Sequence, residues 1–157
     1  MNQTIQSLSI LSAFILVLSL AVYLTGTEQG GSTFSKQCQL NDTLICQFNL
    51  TEYSNEIVLV NFSTKVLVEE QNTVQLLLPE TWNLKQIWIQ GVNMYMGKIA
   101  VLEQTELSQP TNNTHSLWFF IGSCSEPHMR WQLIIELENR ETLKTERFFV
   151  NFATDLS

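Results

Sequence analysis

Basic residues, histidine and cysteine are all scarce in this chain, and each shortage argues against a class of function. Lys and Arg number 8 against 15 Asp and Glu, which leaves a net charge of −7. An acidic domain repels the phosphates of nucleic acids and of anionic lipid headgroups, so we expect neither as its partner. The chain has 2 His and 3 Cys without a C-x2-C pair. It therefore lacks the paired ligand spacing of zinc sites and the thiol redox motif, and its histidines are poorly placed for a blue copper site.

Charged side chains are absent from the N-terminal segment, because no Asp, Glu, Lys or Arg precedes Glu28. The run from Ile5 to Leu24 is apolar, and about 20 such residues span a hydrocarbon core of about 30 Å. The sequence predicts one N-terminal transmembrane helix in an uncleaved anchor of residues 1–27, followed by a linker of residues 28–35. A cleaved signal peptide is the alternative, although the basic region and small-residue cleavage site of such peptides are missing.

Residues 36–157 show short runs of β-branched and aromatic residues and no sustained helical period. The runs are 44–50, 56–62, 74–78, 84–96, 99–102, 117–121, 129–137 and 147–152. Alternation predicts one shared face for Met129, Trp131, Leu133, Ile135 and Leu137. Seven or eight short strands separated by turn residues predict an all-β domain, an immunoglobulin-like or cupredoxin-like β-sandwich.

The three cysteines divide into a close pair and a single residue. Seven residues separate Cys38 from Cys46, a spacing that suits a small hairpin closed by a disulfide. Cys124 is then left over, as a reactive thiol or a ligand. Pairing of any other two of the three cysteines remains open at this stage.

Sulfur-bearing side chains cluster in two stretches of the chain. Met94 and Met96 are two residues apart, so on a strand they would project from the same face. Cys124 and Met129 flank a short turn, which predicts that their side chains converge. Thiolate and thioether ligands select Cu(I), so we expect these four residues to bind one Cu(I). Core packing by methionine is the alternative interpretation.

Two further residues of the second stretch are considered as neighbours of the metal. Trp131 shares the face of Met129 and would shield a bound ion from water. His128 is expected to be a solvent-exposed loop residue or an extra ligand. Cys124 with His128 resembles a nucleophile and base only superficially, because no third group orients the pair. We therefore expect no enzymatic activity.

The motifs together resemble those of a family of small bacterial envelope proteins. The matching features are a close cysteine pair (Cys38, Cys46), then G-x-x-M-x-M-G (Gly91 to Gly97), then C-x4-M-x-W (Cys124 to Trp131). The resemblance implies a single-pass protein of the bacterial inner membrane with its C-terminal domain in the periplasm. It also implies copper handling, often beside Sco-type assembly factors of cytochrome oxidase.

From the residues and the resemblance we expect a membrane-anchored Cu(I)-binding protein. Its role would be that of a copper chaperone, or of an accessory factor in cytochrome oxidase assembly or copper homeostasis. Its partners would be the inner membrane and an oxidase assembly factor or copper-receiving protein. The alternative is an immunoglobulin-like interaction module of an envelope membrane complex, in which the Met and Cys side chains only pack.

Overall fold

The computed structural model describes residues 36–40, 43–50, 56–104 and 113–155. The predicted anchor, residues 1–27, and the predicted linker, residues 28–35, lie outside these ranges. Within them, no helix is long and apolar enough to cross a membrane. The regular secondary structure in the described ranges consists entirely of β-strands, which confirms the all-β prediction for this part of the chain.

Nine strands form the described fold, and each of the eight predicted runs overlaps one of them. The strands are β1 (Gln37–Gln39), β2 (Ile45–Asn49), β3 (Ile57–Phe62), β4 (Gln71–Leu77), β5 (Trp82–Gly91), β6 (Lys98–Glu103), β7 (Thr114–Phe120), β8 (His128–Asn139) and β9 (Thr145–Asp155). The short β1 has no predicted counterpart, because its sequence Gln-Cys-Gln carries no apolar run.

The strands hydrogen-bond in the order β1-β9-β8-β5-β6-β7-β4-β3-β2, which forms a single, nearly closed sheet. All neighbours are antiparallel except β1 and β9, which are parallel. The order β8-β5-β6-β7 is a Greek key, the arrangement found in most β-sandwiches. Three pairs of consecutive strands are therefore not neighbours in this order: β1 and β2, β4 and β5, and β7 and β8.

Strand β6 divides the sheet into two halves. Its residues Lys98, Ile99 and Ala100 pair with β5, whereas residues 101–103 pair with β7. We call β1, β9, β8, β5 and residues 98–100 the first half-sheet. Residues 101–103 with β7, β4, β3 and β2 are the second half-sheet.

Aromatic side chains join the two half-sheets across a shared core. Phe148 and Phe152 of β9 lie with their ring centroids 5.1 Å from Phe48 and 5.9 Å from Phe62, respectively. Phe119 of β7 is also close to Phe152, at 6.4 Å. The five alternating residues of β8 that were predicted to share a face are all buried in this core. Because the half-sheets face each other through these side chains, burial on this side is the main source of stability.

A disulfide joins the two ends of the strand order. Cys38 on β1 and Cys46 on β2 are bonded, with their Cα atoms 6.0 Å apart, which confirms the predicted pairing. The prediction that this disulfide closes a small hairpin is wrong, because the described residues of β1 pair with β9 and those of β2 pair with β3. The bond therefore closes a sheet rather than a local turn. Cys124 keeps a free thiol.

Candidate metal centre

The segment that carries Met94 and Met96 is a loop and not the end of a strand. Strand β5 ends at Gly91, and residues 92–97 connect it to β6. The prediction that Met94 and Met96 project from one strand face is therefore wrong. Gly97, at the end of the loop, has a φ of 72°, in the left-handed region that glycine enters without steric cost.

Asn93 fixes this loop to the start of β8. Its Nδ2 donates to the carbonyl oxygen of His128 at 2.9 Å, and its Oδ1 accepts the backbone N–H of Arg130 at 2.8 Å. The backbone N–H of Val92 donates to the carbonyl oxygen of Arg130 at 2.8 Å. The amide of Asn93 thus takes the place of a strand residue in the pairing with β8. This pairing ends β5 early and orients the residues that follow.

Gly91 permits the loop to fold back over the end of β5. A Cβ atom at this position would overlap the Met94 carbonyl oxygen and lie 2.9 Å from Met129 Cε. The close approach of Met94 and Met129 around Gly91 therefore requires glycine, since any side chain would displace backbone. The result is that Met94 is placed beside Met129 of β8.

Cys124 reaches the same place from the other half-sheet. It lies in the connection 121–127, which leaves β7 in the second half-sheet and enters β8 in the first. The predicted hairpin turn is therefore a crossover between half-sheets. The Cys124 Sγ lies 3.1 Å from Met94 Sδ and accepts the backbone N–H of Glu126 at 3.3 Å.

A small cavity lies next to the Cys124 thiol. Its volume is about 10 Å³, close to the least that holds one water molecule. The lining residues are Val68, Gly122, Cys124, Glu126, Met129, Trp131 and Thr154. The Trp131 Nε1–H donates to Thr154 Oγ1 at 2.9 Å, so its polar group is satisfied while the ring helps to line the cavity. A single small ion would have Cys124 and Met129 as neighbours here, with Met94 in contact with Cys124.

Three of the four predicted ligands are thus close to one another, and the fourth is placed differently. Met94 and Cys124 are half-buried and Met129 is 3% exposed. Met96 is 37% exposed and is absent from the lining of the cavity. The loop conformation is the reason, because residues 94 and 96 do not share a strand face.

His128 faces solvent at the edge of this region, as one of the two sequence-based expectations had it. Its side chain is 80% exposed, and Nδ1 lies 2.8 Å from Asp155 Oδ1. The hydrogen bond to His128 holds the pKa of the Asp155 carboxyl below its ordinary value. The imidazole is therefore engaged with Asp155 on the surface and does not line the cavity.

Sequence reasoning missed the roles of Gly91 and Asn93. Both lay inside a motif chosen for its methionines. A glycine at the end of a strand signals close backbone approach, and an Asn two residues later signals side-chain pairing with backbone groups. These two signals predict a loop where the apolar run alone predicts a longer strand.

The chemical character of the donors follows from their side chains. Across the described ranges, no group of three or more His, Cys, Asp or Glu residues is placed to hold a metal ion. The sulfur atoms in contact here are the Cys124 thiol and the Met94 thioether, and Met129 lines the adjoining cavity. Such a set suits a soft monovalent ion and disfavours zinc, calcium or magnesium.

Comparison with known proteins adds no relative. No protein-family model, curated protein or solved structure matches this chain. The envelope-protein family therefore remains a resemblance carried by the motifs, and the function is argued from the site.

Proposed function

We propose that this chain is a membrane-anchored periplasmic protein that binds one Cu(I) ion. Met94, Cys124 and Met129 would hold the ion, and Met96 would supply a further thioether from the solvent side. The observation that carries the proposal is the 3.1 Å separation of Cys124 Sγ and Met94 Sδ, beside a cavity that Met129 also lines. Soft sulfur donors of this kind select Cu(I) over harder divalent ions.

The surroundings of the thiol support a role in binding. A thiol must lose its proton to ligate a metal, so binding releases a proton. The Glu126 N–H donates to the sulfur and helps to fix its position. Trp131 is 1% exposed and would keep water from the inner side of the ion. Cys124 has sulfur neighbours while His128 is engaged with Asp155, which favours binding over catalysis.

The proposal also includes the type of β fold, the location of the protein and its partner. The Greek key and the aromatic contacts between half-sheets support a β-sandwich of immunoglobulin-like or cupredoxin-like type. The anchor, the inner membrane location and an oxidase assembly factor or other copper-receiving partner are proposed from the sequence. Thioether ligands would release the ion more readily than thiolates do, which suits a chaperone because transfer requires release.

The experiment is a titration of the full chain in detergent, under reducing and anaerobic conditions, with Cu(I) against a competing chelator. We expect one equivalent to bind tightly. Cys124→Ser and Met94→Leu should each weaken binding by about tenfold or more, since each removes one of few ligands. Ser125→Ala, in the same connection but exposed, is the control and should bind as the wild type does.

A second candidate function is an interaction module without a metal. It is favoured by the burial of Met129, which packs as a core residue in its own right. Under this alternative, the wild type would bind Cu(I) no more strongly than a double variant that carries both Cys124→Ser and Met94→Leu. The same titration therefore decides between the two.

A further inference from the structure

The outward side of the second half-sheet carries no charged side chain on its described strands. Alternating burial along β2, β3, β4 and β7 identifies the residues on this side. Five large apolar side chains on it are 40–51% exposed: Ile45, Ile57, Leu77, Leu102 and Phe120. The other outward positions carry Leu59, Trp118 or the uncharged residues Asn, Gln, Ser and Thr. We call this side the uncharged face.

The outward side of the first half-sheet is different. Arg147 Nε lies 2.6 Å from Glu136 Oε2, and Lys85 Nζ lies 2.9 Å from Glu138 Oε1. Arg130 is also exposed there, near the end of β8. Charged groups therefore occupy outward positions of the first half-sheet and none of those of the second. The exposed Glu103 of the second half-sheet pairs with the buried Leu117, so its register is that of the inward residues.

Apolar residues on the uncharged face form two groups, which lie towards opposite ends of β4 and β7 with Gln75 and Ser116 between them. Leu102 pairs with Trp118, and Phe120 follows two positions along the same strand. Leu59 pairs with Leu77 in the neighbouring strands. Grouped exposed apolar side chains on a face without charge indicate an interaction site. An anionic group placed on this face would have no cationic side chain there to pair with.

Size is compatible with a protein interface. A strand spacing of about 4.8 Å and a two-residue repeat of about 6.8 Å give each outward residue about 33 Å² of the sheet plane. The face on five strands then extends over a few hundred Å² in projection, on the order of 500 Å². Side-chain relief enlarges the accessible area towards the roughly 800 Å² per partner of a standard interface.

We infer that two copies of this chain associate through the uncharged face. Each copy carries a net charge of −7, so most approaches of one copy to another oppose like charges. An isologous contact sets the same patch of both copies together, and here that patch brings no charge against another. Sheets pack face to face in this way about 10 Å apart. The inference is independent of copper binding.

The test is sedimentation of the full chain in a neutral detergent across a wide range of concentration. We expect a monomer–dimer equilibrium. Gln75→Glu puts a charge on the exposed middle strand of the face, and in a dimer it would place two such charges together. It should raise the dissociation constant of the dimer by about tenfold or more. Gln86→Glu, exposed on β5 of the first half-sheet, is the matched control and should leave the constant unchanged.

Thermal unfolding of both variants will verify that they fold, and Leu77→Glu offers a second substitution on the face. A full chain that stays monomeric at every concentration would overturn the inference and leave the face to a different protein. A dimer that neither Gln75→Glu nor Leu77→Glu weakens would also overturn it, as would an equal loss in Gln86→Glu.

Discussion

Cys124 Sγ and Met94 Sδ lie 3.1 Å apart, although 30 positions separate them in the chain. Cys124 belongs to the connection that leaves the second half-sheet, and Met94 belongs to a loop of the first. Their contact therefore depends on the packing of the two half-sheets. Any change that loosens either connection should alter the sulfur site before it alters the core.

Substitution of Asn93 should weaken copper binding without removing a ligand. Asn93→Ala loses both hydrogen bonds to β8, at a cost of about 1–2 kcal/mol of unfolding free energy. The freed loop would hold Met94 less well, so the Cu(I) affinity should fall as well. Asn93→Asp keeps the acceptor for Arg130 and loses the donor to His128, so it should lie between the two. Equal affinity in all three proteins would contradict a positioning role.

A methyl group at Gly91 should disturb the site, whereas one at Gly122 should not. The added Cβ at Gly91 meets the Met94 carbonyl oxygen, while at Gly122 it meets no atom within 4 Å. Gly91→Ala should destabilise the fold by about 1–3 kcal/mol and weaken Cu(I) binding. Gly122→Ala should be neutral or slightly stabilising. Chemical unfolding and the chelator titration measure both effects, and similar behaviour of the two variants would rule out the proposed crowding.

The carboxyl group of Glu146 on β9 should make the free energy of unfolding depend on pH. Burial raises the pKa of its carboxyl, but hydrogen bonds from Lys144 and Lys36 outweigh burial and leave the pKa below the ordinary 4.5. The folded state then binds the proton less tightly than the unfolded state. This contribution to the free energy of unfolding is complete above pH 4.5 and is lost as the pH falls through the lower, folded-state pKa.

The corresponding experiment compares the wild type with Glu146→Gln in urea unfolding at several pH values. At neutral pH the variant should be less stable by about 1 kcal/mol. The difference should shrink as the pH falls below 4.5, where the wild-type carboxylate becomes protonated. Glu141→Gln, exposed in the β8–β9 turn, serves as the control. A difference that grows on acidification would refute the sign of the effect.

Removal of the disulfide should lower the free energy of unfolding by the amount that its loop length predicts. A loop of 8 residues accounts for about 2–3 kcal/mol of unfolding free energy. Cys38→Ala with Cys46→Ala should lose that amount and become insensitive to reductant. Cys124→Ala should keep the sensitivity of the wild type, because its thiol is free. Persisting sensitivity in the double variant would point to a bond involving Cys124.

The features that could be read from the sequence are those set by local periodicity. Alternation along β8 correctly placed Met129 and Trp131 in the core, and short spacing correctly paired Cys38 with Cys46. The end of β5 could not be read in this way. Asn93 pairs with residues 35 and 37 positions away, and that contact overrides the apolar run through Met96.

The sequence identified sulfur-bearing residues for a candidate site, but not how they are arranged. Met94 and Met129 come together because Gly91 lets the loop fold back, a relation that no strand pattern contains. Cys124 joins them through the order of strands in the sheet, which sequence spacing does not specify. The sequence analysis placed Met96 on a strand face, whereas it lies in a loop and is exposed.

The bond between Cys38 and Cys46 has a consequence for the sheet margins. An edge strand offers unpaired N–H and C=O groups to strands of other molecules, and so invites fibrous aggregation. Here the two margins, β1 and β2, lie side by side at a Cα separation of 6.0 Å, not far from the spacing of paired strands. The covalent link holds these two edge strands next to each other. We expect a chain that never forms the disulfide to expose both edge strands and to aggregate more readily.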